Sequence, residues 1–218
     1  MAYCLAEAER DRKAAMATEA DLNQAHREKM ARIKAVKDRI YASKTIEKGL
    51  LIVHTGTGKG KSTAAWGLAM RCLGHGLKLG VVQFVKGRRE TGERFFLARF
   101  PELVDVKVMG EGFTWETQDR ERDIAAARAA WDEARRMLAD PELHLVILDE
   151  LNIVLRKDYL PVEEVVDGLL AKRPDLHVVV TGRNAKPELL EAADLVTEMT
   201  LVKHPFRSGV KAQLGIEY

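Results

Sequence analysis

The sequence predicts an α/β fold in which helices flank a mostly parallel central sheet, with a helical extension at the N-terminus. From residue 49 onward, short apolar runs alternate with longer amphipathic stretches, which is the pattern of buried parallel strands joined by helices. A glycine-rich turn lies between the first apolar run and the first amphipathic stretch. Residues 1–48 contain neither glycine nor proline and are rich in Ala, Glu, Lys and Arg, a composition that favours helix.

The elements of the main domain follow from these runs in order. Apolar stretches of strand length lie at residues 50–54, 79–84, 104–109, 145–148, 177–181 and 195–201. Amphipathic stretches of helical length lie at residues 61–73, 93–99, 119–139, 162–172 and 187–192. Gly74 and Gly76 are expected to end the first of these helices. Strands and helices therefore alternate along the chain, as they do in a parallel sheet.

The size and charge of the chain limit its domain count and its partners. With 218 residues, of which 46% are hydrophobic, the chain can bury one core but is short for two. We therefore expect one domain, residues 49–218, and one appendage, residues 1–48. The net charge of +2 gives no overall reason to expect a nucleic-acid or membrane partner.

The cysteines and the apolar runs favour a cytoplasmic location. Cys4 and Cys72 lie far apart without the spacing of a metal site, and Cys72 lies in an apolar helical stretch where a buried thiol is expected. No apolar run approaches the roughly 18 residues that span a bilayer, and the N-terminus lacks the apolar block of a signal peptide.

The appendage is expected to consist of a disordered part, residues 1–25, and a basic helix, residues 26–48. One face of this helix carries the apolar residues Met30, Ile33, Val36 and Ile40. This stripe predicts a covering surface, either the chain's own domain or a second subunit. A nucleic-acid arm is less well supported, because Tyr41 is the only aromatic residue in the helical part and bases need aromatic side chains to stack on.

A glycine- and lysine-rich turn follows the first predicted strand. It reads Thr55-Gly56-Thr57-Gly58-Lys59-Gly60-Lys61-Ser62-Thr63. Its glycines allow backbone conformations that point successive N–H groups inward at a helix N-terminus, which makes an anion site. Lys61 adds a cation for phosphate oxygens, and the Ser62 hydroxyl is placed to bind Mg²⁺. The strand–turn–helix context predicts a phosphate-binding loop, although Thr55 stands where the usual pattern has glycine.

A pair of acids follows the fourth predicted strand. The apolar run 145–148 ends in Asp149 and Glu150, which places both carboxylates at the carboxyl edge of the sheet beside the glycine turn. Asp149 is expected to hold Mg²⁺, and Glu150 to orient a nucleophile or contact substrate. A helix cap after the strand is the plainer alternative for the pair. Together the two motifs predict a nucleoside triphosphate site, and the lack of an Asn-Lys-x-Asp sequence favours ATP over GTP.

Further motifs make the pattern more specific. In chain order they are residues 56–63 (GTGKGKST), 81–87 (VVQFVKG), 112–117 (GFTWET), 148–151 (LDEL), 159–161 (YLP), 181–183 (TGR), 202–206 (VKHPF) and 209–218 (GVKAQLGIEY). Over roughly residues 26–218 the chain resembles the P-loop family of ATP:corrinoid adenosyltransferases, which act on cob(I)yrinic acid a,c-diamide or cob(I)alamin. The family shares the threonine at position 55.

The resemblance implies a RecA-like P-loop nucleotide-binding fold and a specific reaction. The enzyme would transfer the 5′-deoxyadenosyl group of ATP to the Co(I) centre of a corrinoid, either cobyrinic acid a,c-diamide, cobinamide or cobalamin, and release triphosphate. This step belongs to adenosylcobalamin biosynthesis or salvage. The resemblance also implies Mg²⁺ as cofactor, a homodimer, and a flavoprotein reductase as partner for the cobalt.

The resemblance assigns roles to residues that composition and spacing leave open. Lys59, Lys61 and Mg²⁺ would stabilise the departing triphosphate, and Glu150 would contact substrate or ribose. Phe113 and Trp115 would lie against the lower face of the corrin ring, although the residues by themselves favour ordinary core packing. The helix of residues 26–48 would close over the site as a lid.

The sequence leaves undecided the roles of two residues, Arg183 and His204, and it leaves two functions other than adenosyl transfer possible. Arg183 would meet phosphate or stabilise a subunit contact. His204 is better explained as a loop histidine near the nucleotide base than as a cobalt ligand, because the reaction benefits from an empty axial position on cobalt.

An ordinary P-loop ATPase or kinase would use Glu150 to activate water or an acceptor. A non-catalytic nucleotide- or corrinoid-binding module would need binding alone.

Overall fold

The computed structural model describes residues 18–85, 91–109 and 119–217. The chain forms two compact units, Met1–Glu47 and Lys48–Tyr218. Within the described ranges, no helix combines the length and the apolar character that crossing a membrane requires.

The part of the first unit that the structure describes, residues 18–47, contains one helix, α1 (Glu19–Ala42). The helix begins at Glu19, whereas it was expected to begin at His26. The reason is a capping box: the Asp21 N–H donates to Thr18 Oγ1 at 3.2 Å, and the Thr18 N–H donates to Asp21 Oδ2 at 3.0 Å. No side chain of α1 is buried.

The second unit is built on a six-stranded sheet with the order β3-β2-β4-β5-β1-β6. Its strands are β1 (Leu51–Thr55), β2 (Lys78–Gln83), β3 (Val104–Val108), β4 (Leu143–Asp149), β5 (His177–Thr181) and β6 (Leu195–Glu198). All five pairings between these strands are parallel. The predicted α/β class and all six predicted strands are confirmed, although β6 ends at Glu198 instead of residue 201.

Helices connect the strands. They are α2 (Lys61–Gly74), α3 (Gly92–Leu97), α4 (Arg120–Ala139), α5 (Leu151–Arg156), α6 (Val162–Leu170) and α7 (Pro187–Ala192), followed by a 3₁₀ turn at Pro205–Ser208. The sequence did not predict α5, because its apolar residues directly follow β4 and the acid pair, with no spacer to mark a new element.

Two apolar layers hold the sheet between its helices. On one face, Trp66 and Ala69 of α2 pack against strand residues that include Ile52 and Ile147. On the other face, the fully buried Trp131 of α4 packs against strand and helix residues that include Val146. Adjacent residues of a strand point to opposite faces, which explains why the central strands carry consecutive apolar residues, such as residues 178–180 of β5.

The strand order determines where the chemistry-bearing residues meet. β5 lies between β1 and β4, and all three strands run in the same direction. Their carboxyl ends therefore lie side by side at one edge of the sheet. The glycine turn leaves β1 at this edge, the acid pair ends β4 there, and Thr181 ends β5.

Candidate active site

The turn between β1 and α2 requires glycine for two different reasons. Gly56 and Gly60 have φ values of 98° and 107°, in the left-handed region that side chains disfavour. Gly58 is held instead by close packing, because a Cβ at this position would lie 2.5 Å from the Thr200 carbonyl oxygen. The Gly58 N–H donates to the Met199 carbonyl at 2.6 Å. The segment after β6 therefore supports the turn, and this amide becomes available to phosphate only if Met199 moves.

Lys61 is the buried cation of the turn. Its ammonium donates to the carbonyls of Gly56, at 2.9 Å, and of Gly58. Burial lowers the pKa of Lys61, the positive charge of Arg183 and Lys59 lowers it further, and Glu150 opposes the shift. Lys61 thus experiences repulsion from two other cations, which a bound anion would relieve.

Lys59 has a partner from the C-terminal segment. Its ammonium forms an ion pair with the Glu217 carboxylate, which is far away in sequence. Both side chains are partly exposed, so solvent screens the pair and its contribution to stability is small. The pair shows that Lys59 lies within reach of a negatively charged oxygen at the mouth of the turn.

The predicted magnesium residues Ser62 and Asp149 are in direct contact. The Ser62 hydroxyl donates to Asp149 Oδ1 at 2.8 Å, and the Asp149 side chain is buried. Hydroxyl and carboxylate oxygens are ligands that Mg²⁺ prefers. No cluster of three or more His, Cys, Asp or Glu suited to a metal occurs among the described residues. The donor set therefore fits a cation that takes its remaining ligands from phosphate and water.

Two residues that the sequence did not single out complete the surroundings of Asp149. Thr181 Oγ1 donates to Asp149 Oδ1 at 2.8 Å, and Gln83 Nε2 donates to Asp149 Oδ2 at 3.2 Å. Gln83 and Thr181 each end a strand, and both are buried. The available signal was a polar residue closing an otherwise apolar run.

These residues form a row across the carboxyl edge of the sheet, on the face covered by α2. In the order of the strands, this polar row consists of Gln83, Asp149, Thr181 and His54. The register pairs Gln83 with Asp149 and Thr181 with His54. His54 is 6% exposed, and neither of its ring nitrogens makes a hydrogen bond to a described residue. Burial lowers the pKa of His54 and so favours the neutral ring.

Glu150 adopts a backbone conformation that is uncommon for a residue with a side chain. Its φ of 65° and ψ of 19° lie in the left-handed region, at the N-cap of α5. The Glu150 N–H donates to Thr181 Oγ1 at 3.0 Å. Gly182 packs closely behind it, since a Cβ there would lie 3.2 Å from Glu150 Oε2 and 2.8 Å from the Cβ of Asn152. The acid pair is therefore fixed by the end of β5.

The remaining candidate residues have different placements. Thr57 and Thr63 lie exposed at the turn and at the start of α2. Arg183 is exposed, and its positive charge acts on Lys61. His204 Nδ1 accepts a hydrogen bond from the Phe206 N–H at 3.1 Å and so caps the 3₁₀ turn. Phe113 and Trp115 lie outside the described residues.

Comparison with known proteins gives consistent matches. A sequence model of the family described as ATP:corrinoid adenosyltransferase BtuR/CobO/CobP matches residues 47–218. A protein of Pseudomonas aeruginosa named corrinoid adenosyltransferase is 58% identical over 196 residues, which cover 90% of this chain and 97% of the relative.

Two enterobacterial relatives extend the comparison. A corrinoid adenosyltransferase of Escherichia coli K12 is 49% identical over 193 residues, covering 88% of this chain and 97% of the relative. A protein of Salmonella typhimurium named corrinoid adenosyltransferase CobA is 51% identical over 186 residues, covering 84% and 94%.

Proposed function

Because the chain belongs to the ATP:corrinoid adenosyltransferase family, we propose that it transfers the 5′-deoxyadenosyl group of ATP to the Co(I) centre of a corrinoid and releases inorganic triphosphate. It is an enzyme that uses ATP and a corrinoid as substrates.

The positive charge at the turn carries this proposal. Arg183 and Lys59 act electrostatically on the buried Lys61, where the backbone also presents a helix N-terminus. A Co(I) centre is already a strong nucleophile, so the protein has no general base to supply. Its task is to align C5′ with cobalt and to stabilise the charge that develops on the triphosphate.

Ser62 and Asp149 are the residues that would hold Mg²⁺. When bound, the ion would neutralise part of the charge on the phosphate oxygens of ATP. The chain's own contribution is a preorganised donor pair, since the Ser62 hydroxyl already contacts the buried Asp149 carboxylate. Lys61 must leave the carbonyls of Gly56 and Gly58 to reach phosphate.

Glu150 is proposed to contact ribose or corrinoid. An adenosyl transfer has no water to activate, and a hydrolase role for this carboxylate would waste ATP. Its fixed backbone at the start of α5 suits a positioning contact.

Phe113 and Trp115 are proposed to lie against the lower face of the corrin. An apolar wall there would displace the axial ligand, which makes cobalt(II) easier to reduce. The F113A/W115A double variant is expected to lose adenosylation that starts from cobalt(II) while it still binds ATP. Unchanged turnover would remove the role given to these aromatic residues.

The extension and the assembly belong to the same proposal. The exposed apolar residues Met30, Ile33, Val36 and Ile40 of α1 support a lid over the active site, because an exposed apolar stripe marks an interaction surface. A homodimer, a flavoprotein reductase and a cytoplasmic location complete the proposal. The acceptor is cobyrinic acid a,c-diamide, cobinamide or cobalamin.

Product analysis tests the reaction. Purified protein with MgATP and chemically reduced corrinoid should give the adenosylated corrinoid and triphosphate in equal amounts, and running the three corrinoids in parallel identifies the preferred acceptor. Release of ADP without corrinoid would contradict the proposal and indicate an ATPase or kinase. Binding of both substrates without turnover would indicate a binding module.

A further inference from the structure

Thr181 lies at the junction of the polar row and the acid pair. It is the last residue of β5 and has no solvent exposure. Its single hydroxyl makes two hydrogen bonds: it donates to Asp149 Oδ1 at 2.8 Å and accepts from the Glu150 N–H at 3.0 Å. One buried group therefore contacts both acids, although neither lies near it in sequence.

The hydrogen bond that Thr181 donates to Asp149 holds in place a carboxylate that must stay charged to bind a cation. Asp149 is 1% exposed, and an isolated buried carboxylate would be strongly destabilised. Ser62 and Thr181 both donate to Oδ1, and Gln83 donates to Oδ2. Of the two donors on Oδ1, Ser62 would also have to bind the cation. The Thr181 hydroxyl would not bind the cation, so its proton remains donated to the carboxylate.

The hydrogen bond that Thr181 accepts from the Glu150 N–H holds the Glu150 backbone in a conformation that would otherwise relax. Glu150 has a φ of 65°, which L-residues rarely adopt without support from their surroundings. Its N–H lies at the N-terminus of α5, where the amides have no partner within the helix. Thr181 supplies that partner, and the following Gly182 leaves room for the Glu150 carboxylate.

We propose that Thr181 is a positioning residue for adenosyl transfer, whose hydroxyl sets the Asp149 carboxylate for the divalent cation and the Glu150 backbone for substrate. This inference rests on the proposed function, which gives Asp149 the cation and Glu150 the substrate contact. A purely structural hydrogen bond would affect stability alone. A positioning bond also changes how the protein binds the cation.

The test compares four variants of the full-length protein. T181V keeps the shape of the side chain but removes the hydroxyl, and T181S keeps the hydroxyl. T181A leaves space for water and serves if T181V does not fold. T197V is the matched control, because Thr197 of β6 pairs with His54 from the opposite side of β1, away from Asp149.

Two measurements separate positioning from stability. Calorimetric titration with ATP, with and without Mg²⁺, measures how much the cation strengthens ATP binding. This measurement does not depend on turnover. The Mg²⁺ concentration for half-maximal adenosyl transfer gives the kinetic counterpart. Replacing a residue that hydrogen-bonds to a metal ligand typically costs about 10- to 100-fold in metal affinity.

For T181V we expect the Mg²⁺ requirement to rise about tenfold, with ATP binding in the absence of metal unchanged. T181A should shift in the same direction, and T181S and T197V should match the wild type. A folded T181V or T181A with the wild-type Mg²⁺ response would overturn the inference. A wild type without adenosylated product, or without a Mg²⁺ effect, would instead overturn the proposed function.

Discussion

At the scale of single residues, His54 is an unusual occupant of the interior. Its side chain ends the polar row on β1, and both ring nitrogens lack a hydrogen bond to any described residue. A buried polar group without a partner costs roughly 1 to 3 kcal/mol. No part of the proposed reaction uses His54, so replacing it measures this free-energy cost without affecting the reaction.

We predict that H54F stabilises the protein. The apolar ring fills a similar space without unpaired nitrogens, so the free energy of unfolding at neutral pH should rise by about 1 kcal/mol in a urea titration. A decrease would show that the nitrogens have partners that stabilise the fold.

The pH dependence of this difference has a definite sign. Burial lowers the pKa of His54 in the folded state, so the unfolded chain binds the proton more readily. The associated stability is fully present above the unfolded value of about 6.5 and is lost as the pH falls toward the folded pKa. The advantage of H54F should therefore grow as the pH falls below about 6.5. A constant difference would show that His54 is accessible to protons in the folded protein.

Lys61 illustrates a conflict between activity and stability. We predict that K61M reduces kcat by about 10²- to 10³-fold, because one donor to the leaving group is lost. The melting temperature should stay equal or rise, because a buried cation beside Arg183 and Lys59 is replaced by an apolar side chain. Triphosphate release and thermal denaturation measure the two effects. A fall in melting temperature would mean that the bonds from Lys61 to the loop carbonyls stabilise the turn.

At the scale of elements, the glycine turn and the segment after β6 form one packed unit. The Gly58 N–H bonds the Met199 carbonyl, and the backbone of Thr200 leaves no space for a Cβ at position 58. Movement of residues 199–200 would thus change the predicted phosphate site without altering any residue of the turn.

We predict that G58A destabilises the protein by about 1 to 3 kcal/mol, because the new Cβ would lie 2.5 Å from the Thr200 carbonyl oxygen. G67A is the matched control: Gly67 lies in α2 with open space around it, and alanine there should stabilise the helix by roughly 0.5 to 1 kcal/mol. Urea denaturation of both variants measures the difference. Equal stabilities would contradict the packing constraint at Gly58.

At the scale of the whole molecule, the chain has two units, and we expect them to have different roles. The unit Lys48–Tyr218 contains the sheet, both apolar layers and every described site residue. It also retains Lys48, which forms an ion pair with Asp194. Among residues 18–47 of the first unit, the structure describes one helix, and none of its side chains is buried.

We predict that deletion of residues 1–47 leaves the melting temperature and ATP binding unchanged and reduces adenosyl transfer. The core and the turn stay intact, whereas the proposed lid is lost. Calorimetry and the product assay measure these properties on the same preparation. Unfolding of the shortened chain would contradict the independence of the second unit, and full activity would contradict the lid.

The sequence by itself determined the class of the fold and the chemistry of the loop. Strand and helix lengths, apolar runs and the residues of the turn are local properties, so six strands, the glycine turn and the Asp149 acid pair could be located before the structure was known. The family motifs in the same sequence also indicated the reaction.

Only the tertiary structure decided which distant residues act on that chemistry. Thr181 and Gln83 reach Asp149, and Met199 reaches Gly58, because β5 lies between β1 and β4, β2 lies on the other side of β4, and the register aligns their ends. Strand order and register arise from the packing of elements that are far apart along the chain, and hydrophobic periodicity does not encode them. The sequence therefore predicted the candidate site residues, and the fold decided which other residues hold them in place.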